Sequence, residues 1–283
     1  MTYARAKLAL AACLATFGLL YWRVFGRLVE DWIHDDNYSH GFFIIPLAAY
    51  FLWERRARLA SLTWRPSALG LVAVGGGLLV LLAGLLGAEL FLTRISILIV
   101  VAGALLFVGG WSVLRTTAFP LMFLVLMIPI PAIIFNQIAF PLQLVASRFG
   151  ETVLTTLDIP VLREGNVIHL ARTTLEVAEA CSGIRSLISL LTLGIVYGYF
   201  TDSRVWVRTV IALSTIPIAI LANGARVAGT GVAAHYYGEE AALGFLHTFS
   251  GWLVFLAAFV MVFVVTWAIR RLAPLPRPAA VTA

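Results

Sequence analysis

The chain has 283 residues, 61% of them hydrophobic and 12% charged, whereas a soluble domain carries about 25% charged residues. Water is excluded as its main solvent. Its net charge of +6 is not gathered into a basic run with interleaved aromatics, which argues against a nucleic-acid partner and leaves the positive charge as topological information.

Hydropathy divides the chain into eight candidate spans, and the expected fold is an all-α polytopic membrane protein forming a single integral membrane domain over residues 1–283. The first span, Leu8 to Phe25, contains Leu10-Ala11-Ala12-Cys13, a sequence like a lipoprotein cleavage box. The apolar run before Cys13 is too short for a signal-peptide core and no A-x-A-like site follows, so Cys13 reads as a buried small hydrophobe. Ser39 to Trp53 is the shortest span, with an interfacial or re-entrant segment as its alternative. Next come Ala68 to Ala88, Ile95 to Trp111 and Ala118 to Phe135.

The region from Asn136 to Ala180 separates the fifth and sixth spans. Its first part, to Leu157, mixes apolar residues with Gln137, Gln143, Arg148 and Glu151, as an amphipathic helix at a membrane surface does. Val161 to Val177 alternates β-favouring runs with Arg163-Glu164-Gly165-Asn166, the pattern of a small β-hairpin. Spans from Ile184 to Phe200, Val205 to Arg226 and His247 to Ile269 complete the order. Pro129, Pro131 and Pro217 kink or end their helices where neighbouring groups satisfy the freed carbonyls. With both termini cytoplasmic, Arg5, Lys7, Arg55, Arg56, Arg58, Arg65, Arg115, Arg204, Arg208, Arg270, Arg271 and Arg277 fall inside, with only Glu54 and Asp202 as inner acids. This is the positive-inside asymmetry, and it holds loop by loop.

On that topology Cys181, Arg226 and His247 all stand at outer helix ends. Cys181 lies in Glu179-Ala180-Cys181-Ser182-Gly183-Ile184-Arg185, just before the sixth span. The positive end of a helix favours a thiolate there, and Arg185 acts in the same direction. Asn223 and Arg226 share a helix face at i and i+3, and a charge at that depth is costly without a partner. His247 opens the last span in His247-Thr248-Phe249-Ser250-Gly251. Together the three residue types supply a nucleophile, a base and an oxyanion stabiliser. Taken singly, each has a plain structural explanation: a buried thiol, an interfacial polar anchor, a snorkelling arginine.

These segments resemble the exosortase/archaeosortase family of polytopic cysteine transpeptidases. Glu179 to Leu187 matches its E-A-C-S-G-x-R-S-L signature, Asn223 to Arg226 its N-x-x-R pattern, and His247 to Gly251 its H-x-x-x-G pattern. Asn37-Tyr38-Ser39-His40-Gly41 and Ile128-Pro129-Ile130-Pro131 are supporting matches. The resemblance implies Cys181 as nucleophile with His247 and Arg226 completing a catalytic trio, working on the periplasmic side of a bacterial inner membrane. Its implied partners are membrane lipids and exported proteins with a C-terminal sorting signal: a Pro-Glu-Pro-like motif, a transmembrane helix and a basic tail. In Gram-negative bacteria such systems accompany exopolysaccharide production. Glu179, Ser182, Gly183, Arg185, Asn223, Tyr38 and His40 are expected to bind substrate or support the trio.

His34, His169 and His235 read as ordinary exposed or hydrogen-bonded histidines. No zinc-ligand spacing, phosphate-binding glycine loop or G-x-S-x-G elbow occurs, so neither metal nor cofactor is expected. Two other readings of a polytopic chain with polar helix ends are a transporter or flippase and a thioester-forming acyltransferase.

Overall fold

The computed structural model describes residues 3–171, 173–177, 183–238 and 245–273. Among the described residues, seven helices are long and apolar enough to cross a membrane. Contacts divide the chain into two compact units, Met1–Ala132 and Ile133–Ala283.

The first unit holds α1 (Tyr3–His34), α2 (Gly41–Glu54), α3 (Arg56–Ser61), α4 (Leu69–Leu86) and α5 (Leu90–Phe123), followed by a 3₁₀ turn at Leu124–Met127. On α1, Tyr21, Val24, Leu28 and Trp32 are buried, a stripe at helical spacing. Leu19 and Trp22 on the other side are exposed, as lipid-facing residues are. Cys13 is also exposed, correcting the expectation of a buried thiol: the buried stripe begins at Tyr21, about two turns beyond it. The Tyr21 hydroxyl hydrogen-bonds Ser96 Oγ at 3.0 Å, so a polar pair buried among apolar side chains is satisfied.

Helix α4 presents Gly70, Gly77 and Gly84 to α5 at seven-residue intervals, against Phe107, Val100 and Thr93 respectively. Small residues on one stripe let helix backbones approach closely, the main source of helix association in lipid. The sequence carried this signal as plainly as its hydropathy, yet hydropathy alone does not register it.

The fourth and fifth spans are two helical segments of α5 that meet at Gly110, where φ is +78° and the backbone is not helical. A straight helix of that length would span about 50 Å. Instead both ends reach the same turn of α1. Arg94 pairs with Asp31 at 2.6 Å, and the Met127 carbonyl accepts from Trp32 Nε1 at 2.9 Å. The chain therefore reverses at Gly110, where the Arg65 carbonyl occupies the space of a β-carbon. Only glycine combines that left-handed φ with that approach.

Beyond Met127 the helix stops because Pro129 and Pro131 supply no N–H, which leaves carbonyls of the preceding turn without their i+4 donors. Unit 1 replaces them. Trp32 donates to Met127 O, and His40 Nε2 donates to Leu126 O at 3.1 Å. The Ile130 N–H, displaced from the helix, donates to the Tyr38 hydroxyl at 3.2 Å. The expectation that neighbours satisfy the carbonyls freed at these two prolines is thus met by named groups. Pro217 behaves differently, lying inside a helix that continues past it.

The second unit begins with α6 (Ala132–Thr156), long and apolar enough to cross a membrane. The surface amphipathic helix expected from Asn136 to Leu157 is therefore part of a longer element that starts directly after Pro131. Its polar residues are absorbed by packing: Gln143 and Ser147 are buried, and Ser147 Oγ donates to Gly165 O at 3.0 Å. Three antiparallel strands follow, β1 (Val161–Glu164), β2 (Val167–Leu170) and β3 (Thr174–Glu176), in sheet order β1-β2-β3. The expected hairpin gains this third strand. Ile168 and Leu175 point from the sheet into a core with Ala146 and Leu154 of α6 and Val227 and Ala234 of the next long helix but one.

Helices α7 (Ile184–Thr201), α8 (Val205–Tyr237) and α9 (Phe245–Leu272) complete the unit. They share a core of Leu190, Val207, Ile211, Ile218, Ala258 and Val262. Their basic end is tied by Asp202, whose carboxylate accepts from the Arg204 backbone N–H at 2.8 Å and from its guanidinium at 2.8 and 3.0 Å. Arg204 in turn donates to Ala273 O beyond α9. The Arg204 hydrogen bonds hold the Asp202 carboxyl below its ordinary pKa.

Two expectations test this packing. Gly77→Val would place its β-carbon 2.7 Å from Val100 Cγ2, whereas Gly76 has no atom within 4 Å. The first change should destabilise by about 1–3 kcal/mol and the second should be nearly neutral, read as melting temperatures in detergent. Burial pushes the His40 imidazole below its ordinary pKa, against its hydrogen bond to Leu126. Its folded-state pKa being lowered, the stability it contributes is whole above about pH 6.5 and is lost as pH falls below that value. A His40→Gln variant should show a flatter stability profile between about pH 7 and pH 5.

Candidate functional site

Two anchors bracket Cys181 within the second unit. On the N-terminal side, the Val177 N–H donates to Asn166 O at 2.9 Å, and Asn166 Nδ2 donates to Val177 O at 3.3 Å. The β2–β3 register carries this fixation back to the Ile168 core. On the C-terminal side stands Gly183, the N-cap of α7, with φ +76° and ψ 0°. Its α-carbon faces Asn223 of α8: a β-carbon there would meet the Asn223 amide carbon at 2.6 Å and Nδ2 at 2.9 Å. Asn223 is buried, so its amide is wedged between the two helices. Cys181, Glu179 and Ser182 lie outside the described residues.

Gly183 therefore meets two requirements at once. A left-handed backbone angle disfavours any other residue by about 1–2 kcal/mol, and the Asn223 amide leaves no room for a side chain. The signature glycine and the signature asparagine form one contact. The N-terminus of α7, with its partial positive charge, begins three residues after Cys181 in the sequence. Arg185, in the first turn of α7, is exposed.

One turn after Asn223 along α8 comes Arg226, half-buried. Its guanidinium reaches α9, where a β-carbon on Gly251 would lie 3.9 Å from Nη1. Ser186 of α7, Asn223 and Arg226 of α8 and Gly251 of α9 line one narrow cleft, closed below by Leu190, Ala219 and Phe255. His247 belongs to α9, one turn before Gly251 and so on the same face of that helix; its side chain lies outside the described residues. The glycine of the H-x-x-x-G pattern thus gives the guanidinium its place against α9.

Tyr38 and His40 belong to the first unit and bond to the segment 126–130, as given above. The two supporting sequence matches, around Tyr38 and around Pro129, are therefore the two sides of one hydrogen-bonded arrangement. Burial raises the pKa of the Tyr38 phenol, its largest influence, so the hydroxyl is protonated near neutrality. Trp32 and the Asp31–Arg94 pair belong to the same arrangement and escaped the sequence reading. Arg94 had a signal: an arginine inside an apolar run requires a partner, although nothing in the run names Asp31. His34, His169 and His235 each have ordinary contacts, to Glu30 O, Thr174 Oγ1 and the Tyr236 ring.

Gly183→Ala and Gly165→Ala both place an alanine at positive φ, but only the first meets a neighbour, since nothing lies within 4 Å of a β-carbon at 165. Gly183→Ala should accordingly lower the melting temperature by several degrees more than Gly165→Ala, equivalent to about 1–3 kcal/mol. Equal losses would show that the Asn223 contact does not constrain residue 183.

Comparison with known proteins agrees with the sequence signature. The family described as Transmembrane exosortase (Exosortase_EpsH) matches residues 32–264, a range that runs through both units and includes every motif discussed. No curated protein and no solved structure matches the chain. With most of its length matched and its glycine, asparagine and arginine signature positions meeting in one cleft, the chain belongs to the transmembrane exosortase family.

Proposed function

We propose that the chain, acting as one integral membrane domain, is a membrane cysteine transpeptidase or endopeptidase for exported proteins with a C-terminal sorting signal. Family membership supports transpeptidation in protein sorting. The observation that supports the assignment to residues is Asn223, which packs against Gly183 and also lines the cleft where Arg226 reaches Gly251. Asn223 is one helical turn from Arg226, and Gly251 is one turn from His247.

The reaction follows from the chemistry of these groups. The Cys181 thiolate attacks the scissile carbonyl carbon, and the carbonyl electrons move to oxygen, where Arg226 stabilises the negative charge. Collapse of the tetrahedral species breaks the C–N bond. His247, having taken the thiol proton, gives it to the departing amine. The C-terminal fragment leaves with its transmembrane helix and basic tail. A second nucleophile, either water or an acceptor amine, then attacks the thioester through a second oxyanion, and Cys181 is restored. No metal or cofactor has a role in this sequence of steps. Glu179, Ser182 and Arg185 flank the nucleophile, and Tyr38 and His40 shape the segment around Pro129 and Pro131.

A location at the outer face of a bacterial inner membrane, with both termini cytoplasmic, rests on the distribution of arginines. Arg65, near the chain reversal at Gly110, and Arg94, at the far end of the same helix, lie at opposite ends of the first unit, as that distribution expects.

In cells expressing a tagged sorting-signal protein, Cys181→Ala should reduce processing about 10³-fold or more, and undiminished processing removes the cysteine from the mechanism. Arg226→Gln should reduce the rate about 10²–10³-fold without loss of the protein from the membrane. Mass spectrometry of the adduct trapped on Cys181 should show a peptide thioester. A lipid acyl group in its place would make the enzyme an acyltransferase.

A further inference from the structure

At the end of the second unit remote from Gly183 and Arg226, α7 and α9 diverge around a cleft of about 500 Å³. Tyr197 and Phe263 form its floor, their rings packed edge to face at 4.6 Å. Thr266, Trp267, Arg270 and Arg271 form its wall. Thr266 is buried, its hydroxyl donating to Val262 O. The Arg271 guanidinium lies 5.3 Å from the Trp267 ring centre, while 61% of Trp267 itself is exposed. None of these residues has a part in the chemistry proposed above.

Three observations say what the cleft suits. Exposed Trp267 and Trp206 stand at this end beside arginines, the arrangement that marks the headgroup level of a bilayer. Charge there is strongly one-sided: Arg204, Arg208, Arg270 and Arg271 face a single aspartate among the described residues, Asp202, and its buried carboxylate is neutralised by Arg204. Among the described residues, Arg270 and Arg271 make no ion pair. The floor, by contrast, is aromatic and apolar. A ligand that fits carries an anionic group at the level of Arg270 and Arg271 and a hydrocarbon chain against Tyr197 and Phe263. Basic pockets between membrane helices bind anionic lipid headgroups in this way.

We infer that the cleft between α7 and α9 is a binding site for one anionic phospholipid of the surrounding bilayer. The two guanidiniums take the phosphate, and because the carboxylate of Asp202, the one described acid at this end, is buried and engaged by Arg204, a headgroup that also carries an ammonium finds no described carboxylate open to it. Bound there, the lipid bridges the two helices whose opposite ends meet at the proposed active site.

The full-length protein, purified in detergent and given phosphatidylglycerol and phosphatidylcholine in equal amounts, should retain phosphatidylglycerol selectively in native mass spectrometry. The double variant Arg270→Gln/Arg271→Gln should weaken that retention on the order of thirtyfold. Arg58→Gln, an exposed arginine of the first unit, should leave it unchanged. Equal retention of the two lipids, or a double variant that retains phosphatidylglycerol like the parent, overturns the site. A photoreactive phosphatidylglycerol on the unaltered protein gives an answer independent of any variant's folding. Labelling of the peptide covering 263–271 is expected, and labelling confined to other helices overturns the proposal. Processing by Cys181 enters neither measurement, so this site and the proposed activity stand or fall separately.

Discussion

In a bilayer every backbone polar group that leaves a helix must find a partner inside the protein, because lipid offers none. That requirement organises the first unit. Pro129 and Pro131 end a helix at Met127, and three side chains from one short stretch, Trp32, Tyr38 and His40, take up the groups left over. Residues 32–40 and 126–130 are thereby a single structural element made from distant sequence. The Asp31–Arg94 pair beside it fixes the start of α5 to the same turn of α1. A buried pair of this kind adds little net stability, but losing either partner strands a charge at the cost of several kcal/mol. It therefore specifies arrangement more than it strengthens it.

The second unit uses close approach in place of hydrogen-bond replacement. Gly183 against Asn223, Gly224 against Phe149 and Gly231 against Leu154 set the spacing of α7, α8 and α6 at successive levels. The small sheet then covers α6 and α8 through Ile168 and Leu175. Its function in the proposed enzyme is positional. The sheet brings the chain to Val177, four residues from Cys181, on a rigid support, and Gly183 receives it two residues beyond.

The two ends of this unit are chemically different. One end carries Asn223, Arg226 and Gly251 around a narrow cleft; the other carries four arginines, exposed tryptophans and a wider cleft with an aromatic floor. Asp202 separates these roles locally. By accepting from the Arg204 backbone and guanidinium while Arg204 donates to Ala273 O, it ties the α7–α8 connection to the end of α9.

Composition and hydropathy determined by themselves that the chain lives in lipid and is built from helices, because an apolar run of sufficient length has no other stable form there. The signature around Cys181, Arg226 and His247 identified the family from residue types alone, since reactive groups at helix ends are chemically legible without coordinates. Other features were undecidable from the chain. The reversal at Gly110 depends on the Arg65 carbonyl, the length of α6 on burial of Gln143 and Ser147, and the lipid exposure of Cys13 on which stripe of α1 packs. The partners of Tyr38 and His40 were equally hidden. Each is settled by a neighbour tens of residues away, and local pattern carries no information about which distant group will arrive to fill a space or satisfy a donor.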